Sequence, residues 1–86
     1  MNNKEIIKQI EILCTSLSKK NYDESIQKGY SLLKEWHHLG YKKDDVYDIL
    51  HQYYQNLDDE LTSDFIADLM DFIVGWCSPQ VRIWKD

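Results

Sequence analysis

The chain has 86 residues, enough for one domain and too few for a two-domain enzyme. Charged residues (29%) and hydrophobic residues (43%) are near globular averages, and three Gly with one Pro supply too little turn chemistry for a many-stranded β fold. The net charge of −5 is split by sign: residues 1–43 carry eight Lys against five acids, and residues 44–86 carry ten acids against Arg82 and Lys85, a field that repels phosphate backbones and anionic lipids.

The first helix is expected over about residues 3–18, with Ile6, Ile10, Leu13 and Leu17 on one stripe and Ile7 and Cys14 flanking it. Asn21 then reads as an N-cap, with Glu24 completing a capping box. The second helix runs to about Leu39, burying Tyr22, Ile26, Tyr30, Leu33 and Trp36, and Gly40 stands where a left-handed cap belongs. Gly29 inside this helix costs about 1 kcal/mol relative to Ala; either it lets a neighbouring helix approach closely or it has no structural role.

The third helix, about 43–57, sets Val46, Ile49, Leu50, Tyr53 and Leu57 inward, with Asp44 and Asp45 at the positive end of its dipole. After the acidic link Asp58-Asp59-Glu60 comes the most hydrophobic helix, about 61–77. Leu61, Phe65, Ile66, Leu69, Phe72, Ile73 and Trp76 form its apolar arc, widened by Ala67, Met70 and Val74. Pro79 should stop it, leaving Val81, Ile83 and Trp84 as an apolar strap across a bundle end. The expected architecture is a single all-α domain over residues 1–86, a small four-helix bundle with a C-terminal strap.

Little in this pattern supports chemistry. His37, His38 and His51 show no metal-ligand spacing, and Cys14 and Cys77, 63 positions apart in apolar stretches, read as buried thiols rather than as nucleophiles, a disulfide framework or a zinc site. Phosphate loops, nucleophile elbows and calcium loops are missing from the sequence. An acyl carrier protein needs Asp directly before its modified Ser, whereas Ser25 follows Glu24. The expectation is a protein that is not an enzyme and uses no cofactor, metal or small-molecule substrate. No apolar run approaches the roughly 18 residues of a membrane span, and Met1-Asn2-Asn3-Lys4-Glu5 lacks a signal-peptide pattern, so a cytoplasmic location without membrane contact is expected.

Two surface features remain. Asp58, Asp59, Glu60, Asp64, Asp68 and Asp71 form an acidic ridge, in which the helical members follow one strip at i, i+4, i+8 and i+11. Tyr47, His51 and Tyr54 form an aromatic edge on the third helix. Acids without interleaved Lys forgo the i, i+4 pairing that stabilises exposed helices, and like charges at that spacing cost a few tenths of a kcal/mol each. Acids beside tyrosines suit a basic protein partner, with Tyr as a low-entropy anchor. All nine residues are therefore candidate partner contacts.

The segment Leu39-Gly40-Tyr41 followed by Asp44-Asp45-Val46, with Asp71-Phe72-Ile73-Val74-Gly75-Trp76-Cys77-Ser78-Pro79 and then Ile83-Trp84, resembles small immunity proteins of bacterial polymorphic toxin systems. The nearest are the Maf-type proteins and those of contact-dependent growth inhibition loci; the resemblance covers roughly the second half of the chain. It implies a protein that binds and neutralises a cognate toxin domain, often an RNase acting on tRNA. The immunity proteins of DNase colicins are similar in size, acidity and helix count. Their Tyr-Tyr-Pro element is matched only by Tyr53-Tyr54 before Gln55, so their binding residues are not carried over. A basic nuclease cleft fits an acidic inhibitor, which binds it without contacting nucleic acid itself. The competing expectation is a non-catalytic adaptor or regulatory subunit that binds a basic surface on another cytosolic protein.

Overall fold

The computed structural model describes residues 3–75 together with Ile83 and Trp84. Within them four helices follow one another: α1 (Asn3–Thr15), α2 (Tyr22–His38), α3 (Lys43–Gln55) and α4 (Glu60–Val74). They close a ring in which α1 packs on α2, α2 on α4, α4 on α3 and α3 on α1. Helices α1 and α4 thus stand diagonally opposed, as do α2 and α3. Among the described residues the domain is all helical, as expected from the period of its apolar residues.

The interior is built from Ile6 and Ile10 of α1, Leu33 and Trp36 of α2, Val46 and Leu50 of α3, and Phe65, Ile66, Leu69, Met70 and Ile73 of α4. Helix α4 contributes most, in line with the width of its apolar arc. Tyr22, Ile26, Tyr30, Ile49, Tyr53 and Leu57, expected inside, are half-buried and pack around this centre. Val74, expected to widen the α4 arc, is exposed because its direction lies far from that arc. Ile83 and Trp84 are buried against the bundle, as a strap requires; the indole Nε1–H of Trp84 donates to the Tyr41 carbonyl at 3.2 Å, and its ring meets His37 edge-on.

Helix ends show where local chemistry overrides periodicity. Helix α1 stops at Thr15 rather than Ser18. The Thr15 hydroxyl donates to the Glu11 carbonyl at 2.8 Å, and Asn21 Nδ2 donates to the Ser16 carbonyl at 2.7 Å. Asn21 does occupy the N-cap position of α2, but without a side-chain cap or a capping box. Its Oδ1 accepts from the Ser18 N–H at 2.8 Å and from Ser25 Oγ at 3.2 Å, while Glu24 pairs with Lys28 at 3.5 Å. The side chain closes the α1–α2 loop instead.

Helix α2 ends as expected. Gly40 has φ +96°, its N–H donates to the His37 carbonyl, and the Tyr41 N–H reaches back to the Trp36 carbonyl at 3.0 Å, a Schellman closure. Helix α3 ends at Gln55, two residues early, where Asn56 Nδ2 donates to the Gln52 carbonyl at 2.9 Å. Helix α4 ends at Val74 rather than residue 77, because Gly75 turns left-handed with φ +88°. The expectations for Trp76, Cys77, Pro79 and Val81 lie outside the described residues.

Gly29 is buried in the contact between α2 and α4, and a Cβ built on it would stand 2.7 Å from Leu69 Cδ2. Leu69 is itself fully buried, so it has little room to yield. Leu69→Ala should cost about 2–5 kcal/mol in urea unfolding, from lost burial and a residual cavity. Gly29→Ala should destabilise the domain despite a helix-propensity gain of about 1 kcal/mol. In a Leu69→Ala background the same change should become neutral or stabilising, and a Gly29→Ala protein as stable as the wild type would refute the tight contact.

Candidate functional site

Helix α4 presents its acids because of the same geometry that buries its apolar arc. Asp64, Asp68 and Asp71 fall within about 60° of one another around the axis, on the side away from Ile66, Met70 and Ile73. All three are exposed, as are Asp58, Asp59 and Glu60 at the start of the helix. No basic side chain among the described residues forms an ion pair with any of the six. The pKa of the Asp71 carboxyl is raised, first by partial desolvation and then by the charge of Asp68.

Two members of the ridge have structural work as well. Asp59 is the N-cap of α4: its Oδ2 accepts from the Thr62 backbone N–H at 2.8 Å and from the Thr62 hydroxyl at 2.6 Å. These bonds to the Thr62 hydroxyl and N–H lower its pKa. Asp68 Oδ2 accepts from the Tyr22 hydroxyl at 2.5 Å, bridging α4 to the first turn of α2. That leaves Asp58, Glu60, Asp64 and Asp71 without a side-chain hydrogen bond in the described structure.

The ridge lies on the α2 flank of α4. Ring contacts fix this: Tyr22 meets Phe65 edge-on at 6.1 Å, and Tyr30 meets Phe72 edge-on at 4.9 Å. Between the helices runs an open groove of about 490 Å³, lined by Lys19, Tyr22, Leu61, Asp64, Ala67 and Asp68. Lys19, Tyr22 and Leu61 were not singled out from the sequence as contacts. Tyr22 reaches Asp68 across 46 positions of chain, and helical periodicity carries no signal for such a pairing.

The aromatic edge is a separate arrangement. Tyr47 is half-buried and stacks on His51, with ring centres 5.8 Å apart and planes within 10°. Tyr54 is exposed, near the end of α3, and the Leu57 N–H bonds back to its carbonyl, so the link carrying Asp58 turns close beside it. The two features approach each other at this link. Along the rest of the ridge the aromatic neighbour is Tyr22 of α2, not Tyr47 or His51 of α3.

The remaining candidates offer little chemistry. His38 is exposed, His37 packs on Trp84, and no group of three His, Cys, Asp or Glu among the described residues is placed to hold a metal. Cys14 is half-buried; burial pushes its thiol pKa up, against a lowering by a hydrogen bond with Tyr53, which is the wrong direction for a nucleophile. None of the described helices is long and apolar enough to cross a membrane. The chain matches no known protein family, no curated protein and no solved structure.

The hydroxyls of the half-buried Tyr22 and Tyr53 give a test of this geometry. Burial, then the hydrogen bond and charge of Asp68, raise the Tyr22 pKa well above 10; burial, then Cys14, pushes Tyr53 up to about 12. The folded state holds both protons more tightly than the unfolded chain. Their stabilisation is complete below about pH 10 and is lost as pH rises through the folded values. Unfolding midpoints should therefore fall above pH 10, and Tyr22→Phe with Tyr53→Phe should flatten that fall. Asp59 has the opposite sign: its contribution is complete above its ordinary value of 3.8 and is lost as pH drops through the lowered one. Asp59→Ala should lower the thermal midpoint at pH 7 and weaken the pH dependence on the acid side.

Proposed function

We propose that this protein is an immunity protein that binds and neutralises a cognate toxin domain, a basic nuclease, in the cytoplasm of the cell that makes it. The observation that supports the reading most is the strip of exposed carboxylates without an ion pair on α4, Asp64, Asp68 and Asp71, beside a groove lined also by Lys19, Tyr22, Leu61 and Ala67. A nuclease concentrates positive charge where it holds phosphates, and a rigid helix edged with carboxylates presents negative charge at comparable spacing. The apolar floor supplied by Leu61 and Ala67 would receive the aliphatic stems of the partner's Lys or Arg side chains, leaving their heads at Asp64 and Asp68. Inhibition follows from occupancy: a filled basic cleft cannot admit RNA or DNA. The resemblance of residues 71–79 and 83–84 to toxin-immunity proteins points the same way.

The test must leave the fold alone. Asp68 is bonded to Tyr22, so its reversal would disturb the α2–α4 contact. Asp64 and Asp71 make no such bond. Asp64→Lys with Asp71→Lys should weaken binding of the adjacent-gene nuclease domain by about tenfold or more, chiefly through the association rate, with circular dichroism unchanged. Wild-type binding should also weaken with added salt, since screening acts beyond about 8–10 Å at physiological ionic strength. Affinity that ignores both the reversal and the salt would exclude the α4 strip as the interface.

A further inference from the structure

We infer that the α1–α2 side of the bundle is a homodimer interface, which pairs with the same side of a second copy about a twofold axis. This side adjoins the α2–α4 face that carries the ridge but does not include it, because α1 is diagonal to α4. Two adjoining hollows of about 330 and 180 Å³ run along it, sharing Gln9, Leu32 and Glu35. The larger is mainly apolar, with Leu13 and Leu32 partly covered, the smaller mixes Glu5, Gln9 and Glu35 with Leu32 and Trp36, and one large side chain of each stands out into solvent. Ile12 is 56% exposed and Leu39 is 64% exposed, the two most exposed large hydrophobics of the described chain. Single exposed apolar residues need no explanation, but two bracketing one groove define a patch that association would cover.

The charges on the rim select the occupant. Lys28 and Glu35 both line the first hollow, seven residues apart on one face of α2, which is two turns or about 10.5 Å. Ser31 and Leu32 lie midway between them. A twofold axis through that midpoint runs the two α2 helices antiparallel and sets Lys28 of each copy opposite Glu35 of the other, forming the pair twice. The short Ser31 side chain at the centre lets the helices approach. A uniformly basic or acidic partner would meet a like charge at one end of this rim, and Glu5 and Glu35 disfavour an anionic membrane. The surface is complementary to itself. Lys28 has only an exposed contact with Glu24 at 3.5 Å to give up, an exchange that costs little. A stable dimer covers roughly 800 Å² per partner, about one-seventh of the 5844 Å² of this chain, which one side of a four-helix bundle can supply.

Sedimentation velocity on the whole chain, from micromolar to millimolar concentration, reads the mass directly. The wild type should approach twice the monomer mass, and Ile12→Lys should remain monomeric with an unchanged helical spectrum. Lys28→Glu and Glu35→Lys should each weaken association by about tenfold through like-charge contact, and the double reversal should restore it. The restoration is the decisive arm, since neither a folding defect nor a different face predicts it. A wild type that stays monomeric throughout would overturn the inference. So would a dimer indifferent to Ile12→Lys, or a double variant weaker than the singles. None of these readouts involves a toxin, so the outcome is separable from that of the proposed function.

Discussion

The contact between α2 and α4 at Gly29 and Leu69 sets the spacing on which the rest of the domain depends. A helix as apolar as α4 must be covered on several sides, and the approach of α2 is limited by the largest atom between the two backbones. With glycine at that point, the tips of Leu69 fill the gap that a methyl group would otherwise take. The approach then brings Tyr22 onto Phe65 and Asp68, and Tyr30 onto Phe72. Core packing and the edge of the acidic strip are therefore one arrangement. The glycine disfavours helix locally, and tertiary contact more than offsets that penalty.

The acidic strip gains its character from the neighbours it lacks. An exposed helix normally interleaves Lys with its acids, whereas α4 between Glu60 and Asp71 contains no basic residue. The protein keeps the resulting repulsion on one narrow face. It relieves the repulsion at two places, Asp59 through the cap and Asp68 through the tyrosine hydroxyl. Both relieving donors are uncharged, so the face retains its negative charge. A cationic partner would thus meet carboxylates already held in place, which reduces the ordering that association requires.

Much of the fold was legible in the sequence because the helical period of the apolar residues is strong. Ile6, Ile10, Leu33, Trp36, Val46, Leu50 and Leu69 fall on the expected inner faces, and Gly40 marks its turn as glycine after a periodic run should. What escaped was the competition among side chains for backbone groups. Asn21 has the chemistry of a cap, yet its oxygen serves Ser18 because the loop from Ser16 folds back over it. Gly75 ends α4 before Pro79 is reached, since a single left-handed residue closes a helix as effectively as a proline further on. The acids of the candidate surface were readable as a strip. Its groove was not, because Lys19 and Tyr22 come from the far side of the chain and meet the strip only through tertiary packing.

The ring order of the helices has a consequence for how the chain moves. Successive helices pair directly, α1 with α2 and α3 with α4, so the domain is two helical hairpins joined along two seams. Contacts inside each hairpin are local and close quickly, whereas the seam between α1 and α3 and that between α2 and α4 link distant parts of the sequence. Parting of the hairpins would break the Tyr22–Asp68 bond before it unwound any turn of helix. The strip on α4 would lose its aromatic flank while keeping its charges.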